Sequence, residues 1–346
     1  MSGEILKREI NEQPEVLKRI VEQESHNVQE LAQALQGTFT YVMIAARGTS
    51  DNAARYAKYL LGAHNQIAVA LAAPSLFTLY RKSPSLEGAL VMGISQSGRS
   101  PDVVSVVEEG KRQGRPTVAI TNDPQSPLAR NADYVIQLHT GPEKAVAATK
   151  TYTASLTALA LLSAHLDANQ EALAQLQKLP EAMQQTIDAI SGLLSRVERY
   201  RYMDHCSVIG RGFNYSTAFE ISLKITELSQ TVAEPYSSAD FLHGPIAMLS
   251  KGFPMMVIAT RGSVIDDMRA LIERLVELNS ELLIISDEPD LLDEAHLAFP
   301  LPTGLPEWLS PMVAVVPGQL FSLALAQARG LDPDHPEGLS KITETW

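Results

Sequence analysis

The chain has 346 residues, and its 45% hydrophobic content is enough to supply the cores of two α/β domains. A formal net charge of −12 argues against nucleic-acid binding, because no surplus of basic residues neutralises a phosphate backbone. The single cysteine, Cys206, excludes an internal disulfide and is typical of a reducing compartment. Residues 1–16 are charged, unlike a signal peptide, and the apolar stretch 156–166 is too short to cross a bilayer. We therefore expect a soluble cytoplasmic protein that does not bind a membrane.

The amino-terminal residues 4–36 have the apolar periodicity of a helical segment, with a break at Pro14. After this segment, short apolar runs alternate with helical patterns, at residues 41–46, 89–94, 117–120 and 134–138. Alternating strands and helices predict right-handed crossovers and a parallel sheet. Each run ends in a turn rich in Gly, Ser, Thr or Asn, and ligands of such sheets bind at the carboxyl ends of strands.

The second half of the chain repeats this pattern. Apolar runs recur at residues 206–210, 255–259 and 282–285, and their ends follow those of the first half at a nearly constant offset: Gly48 and Gly212 at 164, Ser95 and Thr260 at 165, Asn122 and Asp287 at 165. We therefore predict a duplicated α/β fold of two tandem doubly wound parallel sheets, each a flavodoxin-like α/β/α sandwich. The predicted parts are a helical segment 1–36, a ligand-binding domain 37–170, a helical linker 171–199 and a second domain with a tail, 200–346.

Two loops of the first domain carry clusters of hydroxyl groups. Gly48-Thr49-Ser50 and Ser95-Gln96-Ser97-Gly98-Arg99-Ser100 both lie where a strand meets a helix. Hydroxyls and free amides at helix starts are suited to a phosphate, whereas a plain helix cap is the alternative for either loop alone. Neither loop matches a P-loop or a dinucleotide fingerprint, and we therefore expect no nicotinamide cofactor.

A charged stripe lies on a predicted helix of the second domain. Residues 214–230 place Glu220, Lys224 and Glu227 beside an apolar stripe, and the simple interpretation is a set of exposed ion pairs. The helix starts at a strand end, so a partly desolvated Glu beside a Lys is also able to act in proton transfer at carbon.

Two further residues are weak candidates on sequence alone. His243 stands beside turn-forming Gly244 and Pro245, which favours a structural role, and Lys341 resembles a solvated lysine near a chain end. The histidines show no metal-ligand spacing, so we expect no metal and no other cofactor.

Taken together, these segments resemble the isomerase half of glucosamine-6-phosphate synthase and the sugar-isomerase (SIS) type of glucosamine-6-phosphate deaminase. The resemblance runs from Glu9-Ile10-Asn11-Glu12-Gln13-Pro14 through both hydroxyl loops, Thr149-Lys150, Glu220, Lys224, Glu227, His243-Gly244-Pro245 and a tail with Gly330, Asp334, Pro336, Leu339 and Lys341. It implies that Glu227 moves a proton between C1 and C2, that His243 opens the ring and comes from the neighbouring subunit of a homodimer, and that Lys341 contacts the substrate carbonyl. Lys224 is implied as an auxiliary proton carrier. The implied substrate-binding residues are Gly48, Thr49, Ser50, Ser95, Gln96, Ser97, Ser100, Val146, Lys150 and Ser340.

The sequence departs from the synthases at Arg99, Ala148 and Asp240, where they have an acidic residue, Ser and Glu. No glutaminase domain precedes the isomerase segments, and Cys206 is not amino-terminal, so we expect no glutamine hydrolysis in cis. The resemblance therefore predicts a deaminase and isomerase acting on glucosamine-6-phosphate. Alternatives are a galactosamine-6-phosphate deaminase, a deglycase for phosphorylated sugar–amino-acid adducts, an aminotransferase subunit, and a sugar-phosphate sensor without turnover.

Overall fold

The computed structural model describes residues 2–341. Two helices come first, α1 (Glu4–Asn11) and α2 (Gln13–Leu35), and the predicted break at Pro14 is confirmed. The first sheet follows, with strands β1 (Tyr41–Ala45), β2 (Ala68–Leu71), β3 (Ala89–Ile94), β4 (Thr117–Thr121) and β5 (Tyr134–Gln137). Its accompanying helices are α3 (Thr49–Asn65), α4 (Ser75–Thr78), α5 (Pro101–Arg112), α6 (Pro127–Asn131) and α7 (Lys150–Leu166).

The second sheet comprises β6 (His205–Ile209), β7 (Val232–Tyr236), β8 (Pro254–Ala259), β9 (Glu281–Ser286) and β10 (Leu297–Pro300). Helix α8 (Gln170–Leu176) follows α7 and packs against it. The helices of the second half are α9 (Leu179–Ser191), α10 (Tyr215–Ser229), α11 (Ser238–Leu242), α12 (Ile265–Glu277), α13 (Pro289–Asp293) and α14 (Ser310–Ala328). Asn214 and Gln230, the ends predicted for the charged helix, flank α10 as its caps.

Both sheets are entirely parallel and have the same strand order. The first is β2-β1-β3-β4-β5 and the second β7-β6-β8-β9-β10, which is the flavodoxin-like arrangement. The central strands are continuous apolar runs, as expected when helices cover both faces of a sheet; all six residues of β3 are buried. The predicted duplicated, doubly wound fold is confirmed.

The described residues divide into two compact units. The first-sheet unit contains Glu15–Glu143, Lys150–Lys178, Ser340 and Lys341; the second-sheet unit contains residues 2–14, Lys144–Thr149 and Leu179–Leu339. Both units are therefore discontinuous in sequence. In the second-sheet unit the Asp334 carboxylate accepts hydrogen bonds from the amides of Gly3, Ile5 and Leu6 at 2.8–3.2 Å, so a distant residue caps the start of α1.

Helix α14 is the most apolar element of the second-sheet unit. By length and composition residues 307–328 are able to cross a membrane, and this apolar stretch is longer than the one at residues 156–166. The helix is almost entirely buried and packs against α10 and α9, as the core helix of a globular unit does. At its contact with α10, a Cβ on Gly318 would lie 2.4 Å from the Ile221 side chain, so glycine is required for this close approach.

Candidate active site

The loop between β3 and α5 holds its hydroxyl groups around a glycine. The Ser95 and Ser100 hydroxyls lie 3.4 Å apart, and the Gly98 amide donates to Ser95 Oγ at 3.2 Å. Gly98 has φ +62°, and a Cβ there would lie 2.1 Å from Ser126 Oγ, so no other residue fits. The half-buried Gln96 and Ser97 complete a polar rim at the carboxyl end of β3.

The helix-cap alternative for the two loops does not hold. The cap positions of α3 and α5 are Gly48 and Ser100. Gly48 has no side chain to form a cap, and the Ser100 hydroxyl makes no capping hydrogen bond. Pro101 begins α5, and Thr49 and Ser50 are the first, half-buried residues of α3. Several amides of these helix starts are already bonded within the chain, those of Ser50 and Asp51 to the Arg47 carbonyl and that of Val103 to Asp102, so the loops offer an anion chiefly their hydroxyl groups.

An ion pair joins the two loops. The Arg47 Nε donates to Asp102 Oδ2 at 2.5 Å, and the Asp102 carboxylate is fully buried in the first turn of α5, where its other oxygen accepts from the Val103 amide at 2.9 Å. Arg47 immediately precedes the first loop, so its side chain ties that loop to the helix that follows the second. A buried carboxylate needs such a partner, and this pair was not predicted.

Asn122, at the end of β4, connects the second loop to residues 140–143. Its amide donates to the Gln96 carbonyl at 3.1 Å, while its side chain accepts from the Thr140 amide at 3.0 Å and donates to the Gly141 carbonyl at 2.8 Å. All three bonds lie within the first-sheet unit. They attach the segment before Glu143 to the carboxyl edge of the first sheet.

Glu143 and Lys341 form a second ion pair on this unit. Lys341 Nζ donates to Glu143 Oε2 at 2.7 Å, and the lysine side chain is 23% exposed, so the interpretation of Lys341 as a solvated chain-end residue is wrong. Lys150, at the start of α7, is buried, and its Nζ donates to the Pro142 carbonyl at 2.8 Å. Ser340 precedes Lys341 in the same unit.

Val146 lies in the short segment Lys144–Thr149, which belongs to the second-sheet unit. The amides of Lys144 and Ala145 donate to the buried Glu9 carboxylate on α1, at 2.5 and 3.2 Å. The side chains of Val146 and Ala148 are half-buried. The Glu9 carboxylate therefore fixes the backbone immediately before Val146, a residue predicted to bind the substrate.

The charged stripe of α10 is buried rather than exposed. The Lys224 ammonium is 1% exposed and lies 3.5 Å from Glu220 Oε1 and 2.5 Å from Glu227 Oε2. Glu220 is fully buried, whereas 23% of the Glu227 side chain is exposed. The interpretation as exposed ion pairs is therefore wrong for Lys224 and Glu220, and Glu227 is the carboxylate that solvent and a ligand can reach.

His243 is exposed and follows α11. Its amide donates to the Asp240 carbonyl at 3.2 Å, so it caps the carboxyl end of this short helix, while Ser237 Oγ donates to Asp240 Oδ2 at 2.6 Å at the other end. The residue at 240, one of the departures from the synthases, is thus part of the cap that orients the His243 loop. Leu242 and Met248 beside it are also exposed, at 48% and 38%.

The described residues offer neither a metal-binding cluster nor a reactive thiol. Among residues 2–341, no group of three or more His, Cys, Asp or Glu side chains is arranged to hold a metal ion. Cys206 lies in β6, and burial raises the pKa of its thiol to about 12. At neutral pH this thiol is protonated and poorly nucleophilic.

The SIS domain family model matches residues 41–164 and 202–329. The chain belongs to the SIS domain family. The two matched regions contain the two sheets, and the predictions of the family and of an enzyme are confirmed.

Named relatives of this SIS protein include enzymes of amino-sugar phosphates. The glutamine–fructose-6-phosphate aminotransferase (isomerizing) of Aquifex aeolicus is 32% identical over 88% of this chain and 51% of its own length. The chain thus spans about half the length of the curated relatives it matches. A candidate phosphosugar isomerase from Silicibacter pomeroyi DSS-3 is 29% identical, with a TM-score of 0.85 over 96% of this chain and all of its own. The glucosamine-6-phosphate deaminase of Thermotoga maritima shares the fold, with 23% identity and a TM-score of 0.82 over 99% of this chain and all of its own.

The predicted site residues are divided between the two units. The first-sheet unit of this SIS protein holds both hydroxyl loops, Lys150 and Lys341; the second-sheet unit holds Val146, Lys224, Glu227 and His243. Three charged residues beside these groups were not predicted: Arg47, Asp102 and Glu143. Arg47 immediately precedes the first hydroxyl motif and Asp102 lies two residues after the second, and this proximity was a signal in the sequence. Glu143 gave no signal beyond its position seven residues before Lys150.

Proposed function

We propose that this SIS protein is an amino-sugar phosphate deaminase and isomerase, which converts glucosamine-6-phosphate to fructose-6-phosphate and ammonia. The observation that carries the proposal is the buried ammonium of Lys224 between Glu220 and Glu227 on α10. An acid–base pair held out of water is what proton transfer at carbon requires, because water is too weak a base at neutral pH. A protein that only senses sugar phosphates has no use for such a group.

The proposed reaction has three steps. His243 opens the pyranose ring, which frees the C1 aldehyde. Glu227 removes the proton from C2 and returns it to C1, while the carbonyl oxygen takes up a proton and the amino nitrogen gives one up, so that the aldehyde becomes a primary alcohol and C2 becomes an imine. Water then adds to C2 and ammonia leaves, which yields the ketose phosphate. Lys224 supplies or accepts the proton that Glu227 exchanges, and Lys341 donates to the carbonyl oxygen on which negative charge develops.

The hydroxyl loops support a phosphorylated substrate. Two helix starts on adjacent strands carry the hydroxyls of Ser50, Ser95, Ser97 and Ser100, which provide several donors for one anion. The Arg47–Asp102 ion pair fixes the separation of these loops in advance, so less ordering is needed when phosphate binds.

Cys206 is not suited to act as the nucleophile of glutamine-dependent amination. Release of ammonia from glutamine by a cysteine enzyme requires a reactive thiolate. The single cysteine of these 346 residues is buried, with a pKa raised to about 12. These residues therefore supply no such nucleophile, and an aminotransferase subunit that receives ammonia from another source is the second candidate, favoured by the names of the curated relatives.

We further propose a homodimer in which His243 acts on the substrate of the neighbouring subunit. His243 is exposed and is flanked by the exposed apolar side chains of Leu242 and Met248. Apolar residues on both sides of an exposed functional histidine are suited to contact with a second protein surface.

Ammonia release from a substrate panel tests the proposal. The purified protein is incubated with glucosamine-6-phosphate, galactosamine-6-phosphate and a phosphorylated fructose–lysine adduct, each with the Glu227→Gln variant as a blank. We expect ammonia and fructose-6-phosphate in equal amounts from the first compound. Exclusive activity on either of the other two would replace this substrate, and binding of all three without turnover would establish a sensor.

A further inference from the structure

Glu143 has a fully buried carboxylate that uses both of its oxygens. Oε1 accepts from the Thr151 amide at 3.1 Å, and Oε2 accepts from the Thr151 hydroxyl at 2.8 Å and from Lys341 Nζ at 2.7 Å. The Thr151 amide belongs to the first turn of α7, where the partial positive charge of a helix start favours an anion. Glu143 is not among the residues to which the family resemblance gives a role.

The helix start leaves a charge that Lys341 balances. An ionised carboxylate out of contact with water requires a full counter-charge close to it, or its burial is strongly unfavourable. The ammonium of Lys341 lies 198 residues away in sequence and touches Oε2 directly. The contact is therefore an ion pair between the start of α7 and the tail of the chain.

Asp334 attaches the middle of the tail to α1, and beyond it the ion pair with Glu143 is a side-chain contact that holds Lys341. Between Leu331 and Lys341 the backbone forms turns and bends but no helix or strand, so backbone hydrogen bonds of regular structure do not fix the lysine. Glu143 itself is attached to the carboxyl edge of the first sheet, because Asn122 bonds both the Gln96 carbonyl and residues 140–141. The ion pair thus holds the lysine on the unit that carries the hydroxyl loops.

We propose that Glu143 is a positioning residue, whose carboxylate fixes the Lys341 ammonium where it donates to the carbonyl oxygen of the open-chain sugar phosphate. This inference rests on the proposed function. An ammonium has three N–H donors, and within the described residues Glu143 is the one hydrogen-bonding partner of Lys341. Two donors therefore remain for the substrate oxygen, while the third sets the direction of the group.

Glu143→Gln tests the role, because the amide keeps an acceptor for the Thr151 amide but loses the charge that holds Lys341. We expect kcat to fall about 10- to 100-fold with KM nearly unchanged, since the phosphate loops are intact and only the placement of a donor changes. Lys341→Met removes the donor itself and should lower kcat about 100- to 1,000-fold. The double variant should match Lys341→Met alone, because both changes interrupt one interaction.

Thr151→Val is the matched control. It removes the hydroxyl bond to the same Glu143 oxygen and keeps the backbone bond, the carboxylate and its charge. We expect lower thermal stability and a kcat close to that of the unchanged protein. A purely structural role for Glu143 predicts instead that Thr151→Val and Glu143→Gln lower kcat alike, and that the losses of Glu143→Gln and Lys341→Met multiply in the double variant.

Amide hydrogen exchange of residues 337–341, which lie beyond the part of the tail held by Asp334, gives a readout that needs no turnover. Exchange there should be about tenfold faster in both Glu143→Gln and Lys341→Met than in the unchanged protein and in Thr151→Val. Unchanged exchange in Glu143→Gln would overturn the positioning role, whether or not the protein is active. If no sugar phosphate is turned over but exchange accelerates as expected, the proposed function fails while the holding of the tail by Glu143 stands; if turnover is normal in Glu143→Gln, the reverse holds.

Discussion

At the scale of single residues, the two carboxylates beside Lys224 differ in one property that decides their roles. Glu220 is fully buried and balances the buried ammonium, so its charge is committed to the interior. Glu227 contacts the same ammonium but remains partly exposed, and it is able to exchange a proton with a ligand. Accessibility therefore supports Glu227, rather than Glu220, in the proposed role of the base.

Glu227→Gln should lower kcat by about 10²–10⁴-fold, because the amide keeps the shape of the side chain but cannot accept a proton. The deciding measurement is incorporation of solvent deuterium at C1 of the ketose product. Glu277→Gln is the matched control, since Glu277 forms an i,i+3 pair with Arg274 on an exposed face and should be neutral. Exchange at the unchanged rate in a Glu227→Gln protein that binds substrate normally would rule out this base.

At the scale of elements, the proposed role of the loop between β3 and α5 is binding rather than bond making. Under the proposed function its hydroxyls and amides contact a phosphate that does not change during the reaction, so their interactions are equal in the ground and transition states. Gly98 and the bond between Asn122 and Gln96 hold the loop in one conformation.

Ser97→Ala should therefore raise KM by about 10- to 100-fold and leave kcat almost unchanged, because a hydrogen bond to a charged group contributes about 1.5–3 kcal/mol. Steady-state kinetics with the preferred sugar phosphate measure both constants. Ser105→Ala on α5 serves as control, since its hydroxyl bonds the Asp102 carbonyl within the helix. Loss of activity with a chelator and recovery with a divalent ion would contradict a phosphate site made of hydroxyls and amides alone.

The sequence predicted the six central strands and one edge strand, β5, and missed the other edge strands, β2, β7 and β10. Strands β1 and β3 are apolar runs ending in turn residues, whereas β2 has four residues, none of them buried. Strand β7 contains Glu234 and Pro235, which an edge tolerates because one side of the strand needs no ladder bonds.

The candidate site divides in the same manner. The hydroxyl loops are continuous motifs and were predicted, as was the stripe on α10. The Arg47–Asp102 pair joins residues 55 apart, and the Glu143–Lys341 pair joins residues 198 apart. Such contacts depend on the folded chain path and have no local periodicity, so a single sequence does not reveal them.

At the scale of the whole molecule, the proposed homodimer makes each active site depend on two chains. Mixing Glu227→Gln with His243→Ala under subunit exchange should restore about a quarter of full activity: half of the dimers are hybrids, and each hybrid has one intact site of two. The activity of the mixture, with dimers verified by sedimentation, measures this. Mixing Glu227→Gln with a Glu227→Gln/His243→Ala double variant should restore nothing. Absence of recovery in verified hybrids would place His243 and Glu227 of one chain at the same substrate.

The cap that Asp334 places on α1 constrains the order in which the protein folds during translation. Helix α1 leaves the ribosome before every other described element, yet the carboxylate that caps it and the helix α14 against which it packs are made more than three hundred residues later. At about 5–20 residues per second, α1 waits roughly 15–60 s for these partners. The first-sheet unit has most of its residues by position 178, so it is available to fold during that interval. The second-sheet unit is completed only after Asp334 has been translated. The first described helix, α1, is therefore among the last elements to reach its packed position.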